Sequence, residues 1–399
     1  MPPRLHERLA GAPLVVAGHV SRVQPHDVDR VRVIHFTVDR VMKGRERLPS
    51  GTGSVEIIEM RDRAAAPDLL TAGDFAVAFL APMGRGSYLD RTLGPGRRWQ
   101  VPESVFGLLK DRDRTVVSQA GDLVNRLADQ SRAPAETAAE RREVHRRWVF
   151  DAIAALHSGL VEDGAAELPS LGGKLSSEEQ TRLDRAVRRT DLPPRIRARL
   201  IDSVGEARLE ELAPVLADVT RAPAPVLDAA WRARAAVGVP PAESTYEPYL
   251  RDADPEVREV AVRRFITAHP DSAVPRMGAF LTGETKSDVR IAVLEALSTV
   301  PANGEAVELL EGAFVGDQEL IVRQAAGRLI FAIGGDIAAE SFGRLAFAAN
   351  SEGQRHAVAL LMAMQRPAGD PILQRIRDTH PDAKVHEILE HGFSDPHEH

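Results

Sequence analysis

Asp254-Pro255-Glu256-Val257-Arg258-Glu259-Val260-Ala261-Val262 reads as the opening of an amphipathic helix. An Asp or Ser ahead of the first turn, such as Asp254 or Ser287, can accept from free backbone N–H groups, and Pro is tolerated at the first helical position because its missing donor is not needed there. Val257, Ala261 and Phe265 fall at i, i+4 and i+8 and make one buried stripe. The pattern returns as Ser287-Asp288-Val289-Arg290-Ile291-Ala292-Val293, as Leu320-Ile321-Val322-Arg323-Gln324-Ala325-Ala326, and more weakly as Gly353-Gln354-Arg355-His356-Ala357-Val358. Arg258, Arg290, Arg323 and Arg355 therefore stand 32, 33 and 32 residues apart. Upstream, Pro193-Pro194-Arg195-Ile196-Arg197-Ala198 fits the frame through Arg197, and Pro225-Val226-Leu227-Asp228-Ala229 fits it with Leu227 at the Arg position. Downstream, Ala383-Lys384-Val385-His386-Glu387 puts His386 there, 31 residues after Arg355.

A period of this length is the mark of a repeat architecture, in which one helical pair cannot bury its apolar face alone and must stack on the next. A second helix is predicted between successive copies, over 209–219, 246–250, 273–281, 306–314, 337–348 and 372–376. Small residues such as Ala261, Ala292 and Ala325 let neighbouring helices approach closely. The Asp, Val-Arg and small-residue order resembles the HEAT family, including the HEAT-like repeats of phycobilisome lyases, and implies an α-solenoid. Regular recurrence of Arg197, Arg258, Arg290, Arg323 and Arg355 favours a structural ladder tying adjacent repeats through carboxylates and helix-terminal carbonyls, over the lining of a ligand groove.

The first 120 residues have a different texture, with short alternating apolar runs bounded by Gly and Pro. Strands are predicted over 14–23, 31–41, 54–60, 75–80, 99–101 and 115–118. Ile34, Phe36 and Val38 alternate with Val33, His35 and Thr37, one face buried, while Phe75-Ala76-Val77-Ala78-Phe79-Leu80 is apolar on both faces and suits a central strand. So many short strands in so little chain suggest a small barrel, which removes sheet edges. Val16-Ala17-Gly18-His19-Val20, Phe36 to Gly44 and Ala72 to Leu80 resemble the bacterial netrin-like domain, a variant of the OB barrel. The fold class expected is thus multi-domain: a small N-terminal β-barrel (OB/netrin-like) over 1–122, a helical linker region over 123–175, an all-α HEAT-like solenoid over 176–392 and a flexible tail over 393–399. Within the linker region, Val144, Trp148, Ile153 and Leu156 predict a helix over 135–157.

Charge is unevenly spread. Residues 1–130 hold 19 Lys+Arg against 16 Asp+Glu, whereas residues 201–399 hold 19 against 31, or −12. A phosphate-binding surface needs the opposite sign, which argues against nucleic acid and against the HEAT-like DNA glycosylases. There is no cysteine, so disulfides, thiolate metal sites and thiol nucleophiles are excluded. No run approaches the ~18 apolar residues of a membrane span. Met1-Pro2-Pro3-Arg4-Leu5-His6-Glu7-Arg8 lacks the apolar core of a secretory signal, so the chain as written reads as cytoplasmic. Netrin-like domains occur in exported proteins, so export from an upstream start is the alternative.

Phosphate loops, Gly-x-Ser-x-Gly elbows and His-Glu-x-x-His helices are absent from the sequence. The Cys by which netrin-like inhibitors chelate protease metals is missing too. HEAT-like hydroxylases use repeated His-Glu steps, and here only His386-Glu387 stands in the frame. His380, His386, His391, His397 and His399 crowd the C-terminus, where a frayed, solvated end is expected rather than a metal site. Tyr88, Arg97, Arg98 and Trp99 form a candidate basic-aromatic patch on the barrel, with a turn beside a core Trp favoured over it. The expectation is a non-catalytic protein-interaction scaffold with no cofactor and a protein partner. The alternatives are a polymer- or ligand-binding OB-type domain with the solenoid as spacer, or a HEAT-like lyase-related enzyme.

Overall fold

The structure is a computed structural model that describes residues 5–25, 31–48, 51, 53–60, 70–83, 98–101, 108–132, 137–300, 304–366 and 370–391. The chain divides into two compact units, Met1–Val219 and Thr220–His399. The boundary falls inside the interval 176–392 expected for the array.

The first unit opens with α1 (Leu5–Gly11), followed by β1 (Leu14–Pro25), β2 (Val31–Lys43), β3 (Ser54–Met60), β4 (Phe75–Pro82), β5 (Arg98–Gln100) and β6 (Leu108–Asp111). β1 pairs antiparallel with β2, β2 with β3, and β4 with both β1 and β5, while β3 and β5 run parallel. The circuit β1-β2-β3-β5-β4-β1 closes a five-stranded barrel, and β6 adds to β4. Ile34 and Phe36 point into a core with Leu14, Val16, Ile57, Ala78 and Trp99. Ala76 to Leu80 of β4 are all buried, because one face fills the barrel and α2 (Arg114–Arg132) packs on the strand. Gly18 sits at a register shift where a Cβ would lie 1.9 Å from the Thr37 carbonyl oxygen, so only glycine lets β1 and β2 approach there.

One predicted strand is a helix. Thr115-Val116-Val117-Ser118 belongs to α2 (Arg114–Arg132). The Asp113 side chain accepts from the Thr115 N–H at 2.8 Å and starts the helix. Val117, Ala120, Val124 and Ala128 then fall on one buried face, and that packing outweighs the strand preference of a four-residue β-branched run. β6, which the sequence reading missed, has only Leu108 and Leu109 buried and shows no alternation long enough to register.

Within 123–175, α3 (Ala138–Ile153) is started by a capping box between Thr137 and Glu140 and buries Trp148, Phe150 and Ile153. It is followed by α4 (Ser158–Glu167), α5 (Ser177–Arg188), α6 (Pro194–Glu206) and α7 (Ala213–Ala217). α3, α5 and α7 form one layer and α4 and α6 the other.

The second unit repeats that plan. α8 (Ala224–Ala236), α10 (Pro255–Ala268), α12 (Ser287–Ser298), α14 (Leu320–Ile333), α16 (Ser351–Ala363) and α18 (Ala383–His391) form one layer, each packed on the next. The other layer contains α9 (Glu243–Leu250), α11 (Pro270–Gly283), α13 (Gly304–Gly316), α15 (Gly335–Ala348) and α17 (Pro371–Thr379). Val257, Ala261 and Phe265 are buried, as the i, i+4, i+8 spacing demands. The core is continuous from α12 to α18 through Leu294, Phe314, Ile330, Phe342 and Leu361.

Candidate binding groove and the arginine ladder

Arg197, Arg258, Arg290 and Arg323 are each the fourth residue of their helix, as is His386 of α18, and Arg355 is the fifth of α16. From that position a long side chain lies along the helix start and reaches the preceding loop and the next repeat. Arg258 donates from Nε and Nη2 to Glu284 at 2.8 and 2.9 Å, and from Nη1 to the Asp252 carbonyl at 2.8 Å. Arg290 repeats the geometry one step on, with Asp317 at 2.8 and 2.9 Å and the Glu284 carbonyl at 3.2 Å. Arg323 keeps the carbonyl half, donating to Asp317 O at 2.8 Å. Arg355 pairs with Asp382 at 3.6 Å, and Arg197, in the first unit, donates to the Val187 carbonyl at 2.8 Å.

Each acidic partner has a second task. Glu284 accepts from the Lys286 N–H at 2.8 Å and Asp317 from the Glu319 N–H at 2.9 Å, so each steadies the start of its own repeat's helix while holding the previous repeat's arginine. Burial alone would raise the Glu284 carboxyl, but Arg258 and the backbone N–H groups more than offset this and hold it below the ordinary value. The hydrogen bonds that Arg258 donates to Glu284 in turn raise its guanidinium pKa. Asp252, Glu284 and Asp317 stand six residues before the ladder arginines, at steps of 32 and 33. That second frame is the sequence signal the Val-Arg reading overlooked.

The ladder runs into an open groove of about 900 Å³ between α9 and α11. It exists because α9 spans 8 residues, with Pro248 inside it, against 14 for α11, so the two helices cannot pack along their full lengths. Its floor includes Leu250, Met277 and the Arg258–Glu284 pair. On the α9 wall, Glu243 accepts from the Ser272 hydroxyl at 2.6 Å, and Glu247 pairs with Arg276 and, at 3.8 Å, with Arg251. The groove thus offers a mixed base of Leu250, Met277 and an ion pair beneath opposed carboxylates and guanidiniums, an arrangement suited to charge-matched contacts.

The C-terminal histidines do not all behave as a frayed end. His380 is buried, donates from Nε2 to the Ala346 carbonyl at 2.8 Å and accepts from the Asp382 N–H at Nδ1. His386 takes the ladder role, bonding the His380 carbonyl at 2.7 Å, so stacking on α15 and α16 orders this hairpin where position in the chain suggested fraying. His397 and His399 lie outside the described residues, as do Tyr88 and Arg97 of the candidate barrel patch. Of that patch, Trp99 is buried in the barrel core and Arg98 donates to Glu56 at 3.1 Å. Among the described residues, no group of three or more His, Cys, Asp or Glu is placed to hold a metal ion.

In the first unit, Arg8 of α1 pairs with Asp163 of α4. Burial pushes the Asp163 carboxyl up to about 6 against the opposing pull of Arg8. Burial also lowers His157, whose Nδ1 accepts from the Gly159 N–H at 3.1 Å.

These features define a helical-repeat protein preceded by a closed five-stranded barrel. Residues 245–330 match the family model for HEAT repeats. No curated protein matches the chain. Among solved structures, human deoxyhypusine hydroxylase in complex with glycerol is similar at 19% identity, over 63% of this chain and 96% of that one, with a TM-score of 0.28, too low to carry an inference. Among the described residues no helix is long and apolar enough to cross a membrane.

Proposed function

We propose that this chain is a non-catalytic interaction scaffold whose acidic HEAT array receives a basic segment of a protein partner. The observation that carries the reading is the fate of the cations. Arg258 and Arg290 are consumed in internal rungs, Arg323 and Arg355 are partly so, and residues 201–399 carry 31 acidic against 19 basic residues. The α9–α11 groove is the favoured seat, since Glu243 and Glu247 on its wall are held by Ser272 and Arg276, groups that an incoming lysine or arginine can displace.

Affinity capture from the native source, with the intact chain beside a Glu243→Gln/Glu247→Gln variant, tests this. Expected is a protein partner retained at low salt, lost at high salt and depleted by the double substitution. Equal capture by both chains, insensitive to salt, would remove the groove and the electrostatic basis together. Binding of an oligonucleotide or glycan by the barrel would instead favour the spacer reading of the solenoid.

A further inference from the structure

The outward face of α14 breaks the pattern of its neighbours. On α10 and α12 the solvent-facing positions carry Glu256, Glu259, Arg263, Asp288 and Glu295, and several are mutually paired: Arg263 meets Glu259 at 2.8 Å and Glu295 at 3.4 Å. On α14 the equivalent arc carries Leu320, Ile321, Gln324, Arg328 and Phe331, with the three large apolar side chains 48%, 53% and 38% exposed. The arc is apolar at both ends and polar in the middle.

We propose that this face pairs with the same face of a second copy of the chain, across a two-fold axis crossing α14 near its midpoint. Symmetric contacts require a self-complementary patch, and a pattern that reads apolar, polar, polar, apolar meets that requirement when two copies of the helix lie antiparallel. The axis places Ile321 against Phe331 of the second copy and Gln324 against Arg328, so the guanidinium faces an amide oxygen able to accept from it. On the flanking α12 it sets Asp288 opposite the Ser298 hydroxyl, and Glu295, already held by Arg263, opposite Ile291. No carboxylate on these two helices directly opposes another. α14 is 14 residues long, and with α12 and α16 packed beside it the face measures roughly 20 by 25 Å. Counted on both copies this is on the order of 1,000 Å², the lower bound for a specific interface. The pairing is independent of the partner groove on α9 and α11.

Sedimentation velocity on the intact chain from about 1 to 100 µM tests the pairing, with circular dichroism confirming that each variant is folded. Expected is a monomer–dimer equilibrium that Ile321→Asp/Phe331→Asp weakens at least tenfold. The cysteine-free chain allows a second measurement. A Gln324→Cys chain should cross-link to itself with a bismaleimide spanning about 11 Å, the separation set by the antiparallel register, and Glu308→Cys on α13 should not. A wild-type chain monomeric at 100 µM, a dimer unaffected by the double substitution, or equal cross-linking at both cysteines would overturn the proposal.

Discussion

Glu284 shows how much one side chain can be asked to do in this fold. It neutralises Arg258, accepts a backbone N–H at the start of α12 and sits almost wholly out of solvent. Removing one partner of such a pair leaves the other charged and buried, so Glu284→Ala should destabilise the second unit by about 3 kcal/mol in urea unfolding, and Glu284→Gln, which keeps the backbone contact, by less. The sign of the pH dependence follows from its lowered pKa. The stability it supplies is complete above its unfolded value near 4.5 and is lost as pH falls through the folded value, a loss the Gln variant should not show. Asp163 behaves oppositely. Its carboxyl is raised from 3.8 to about 6, so its protonated form is favoured by folding, and stability falls as pH rises between those values by at most about 3 kcal/mol. Asp163→Asn should therefore gain on the wild type from about pH 4 to pH 6 and run parallel above, as read from thermal unfolding at each pH.

At the scale of the element, the Val-Arg frame was legible because a repeat position is a fixed geometric address, and the copies of α10 start where that frame puts them, α16 one residue early. The caps were less legible. Asp254 does cap α10, accepting from the Glu256 N–H at 2.9 Å, but Ser287 lies inside α12, whose start is steadied by Glu284. Asp254→Ala should thus cost about 1 kcal/mol and Ser287→Ala little, a contrast chemical denaturation can resolve. Val116-Val117 misled for a related reason: a capped helix with a full buried face outweighs a short β-branched run. The groove was illegible because it follows from how far α9 falls short of α11, a difference in helix lengths rather than a motif. The barrel was read from the alternation in β2 and the doubly apolar β4, since burial on one or two faces writes itself directly into sequence.

For the whole molecule, contacts in the second unit run chiefly between adjacent helices, so damage should stay local. Deleting 370–399 removes α17 and α18 and uncovers Gly343 and Ala346, against which Ile372 and His380 rest. Hydrogen exchange should then quicken in α15 and α16 while α8 to α12 keep their protection. Uniform loss of protection across the unit would contradict nearest-neighbour stability.

The double duty of Glu284 and Asp317 bears on how the array could be lengthened. Because each of these two acids answers the rung behind it and anchors the helix ahead of it, a block of 32 or 33 residues can be spliced in whole between them and find both of its connections waiting. A block cut half a period out of phase would strand a guanidinium at one seam and a bare helix start at the other. The joinery therefore tolerates growth by entire modules and resists every other kind of insertion.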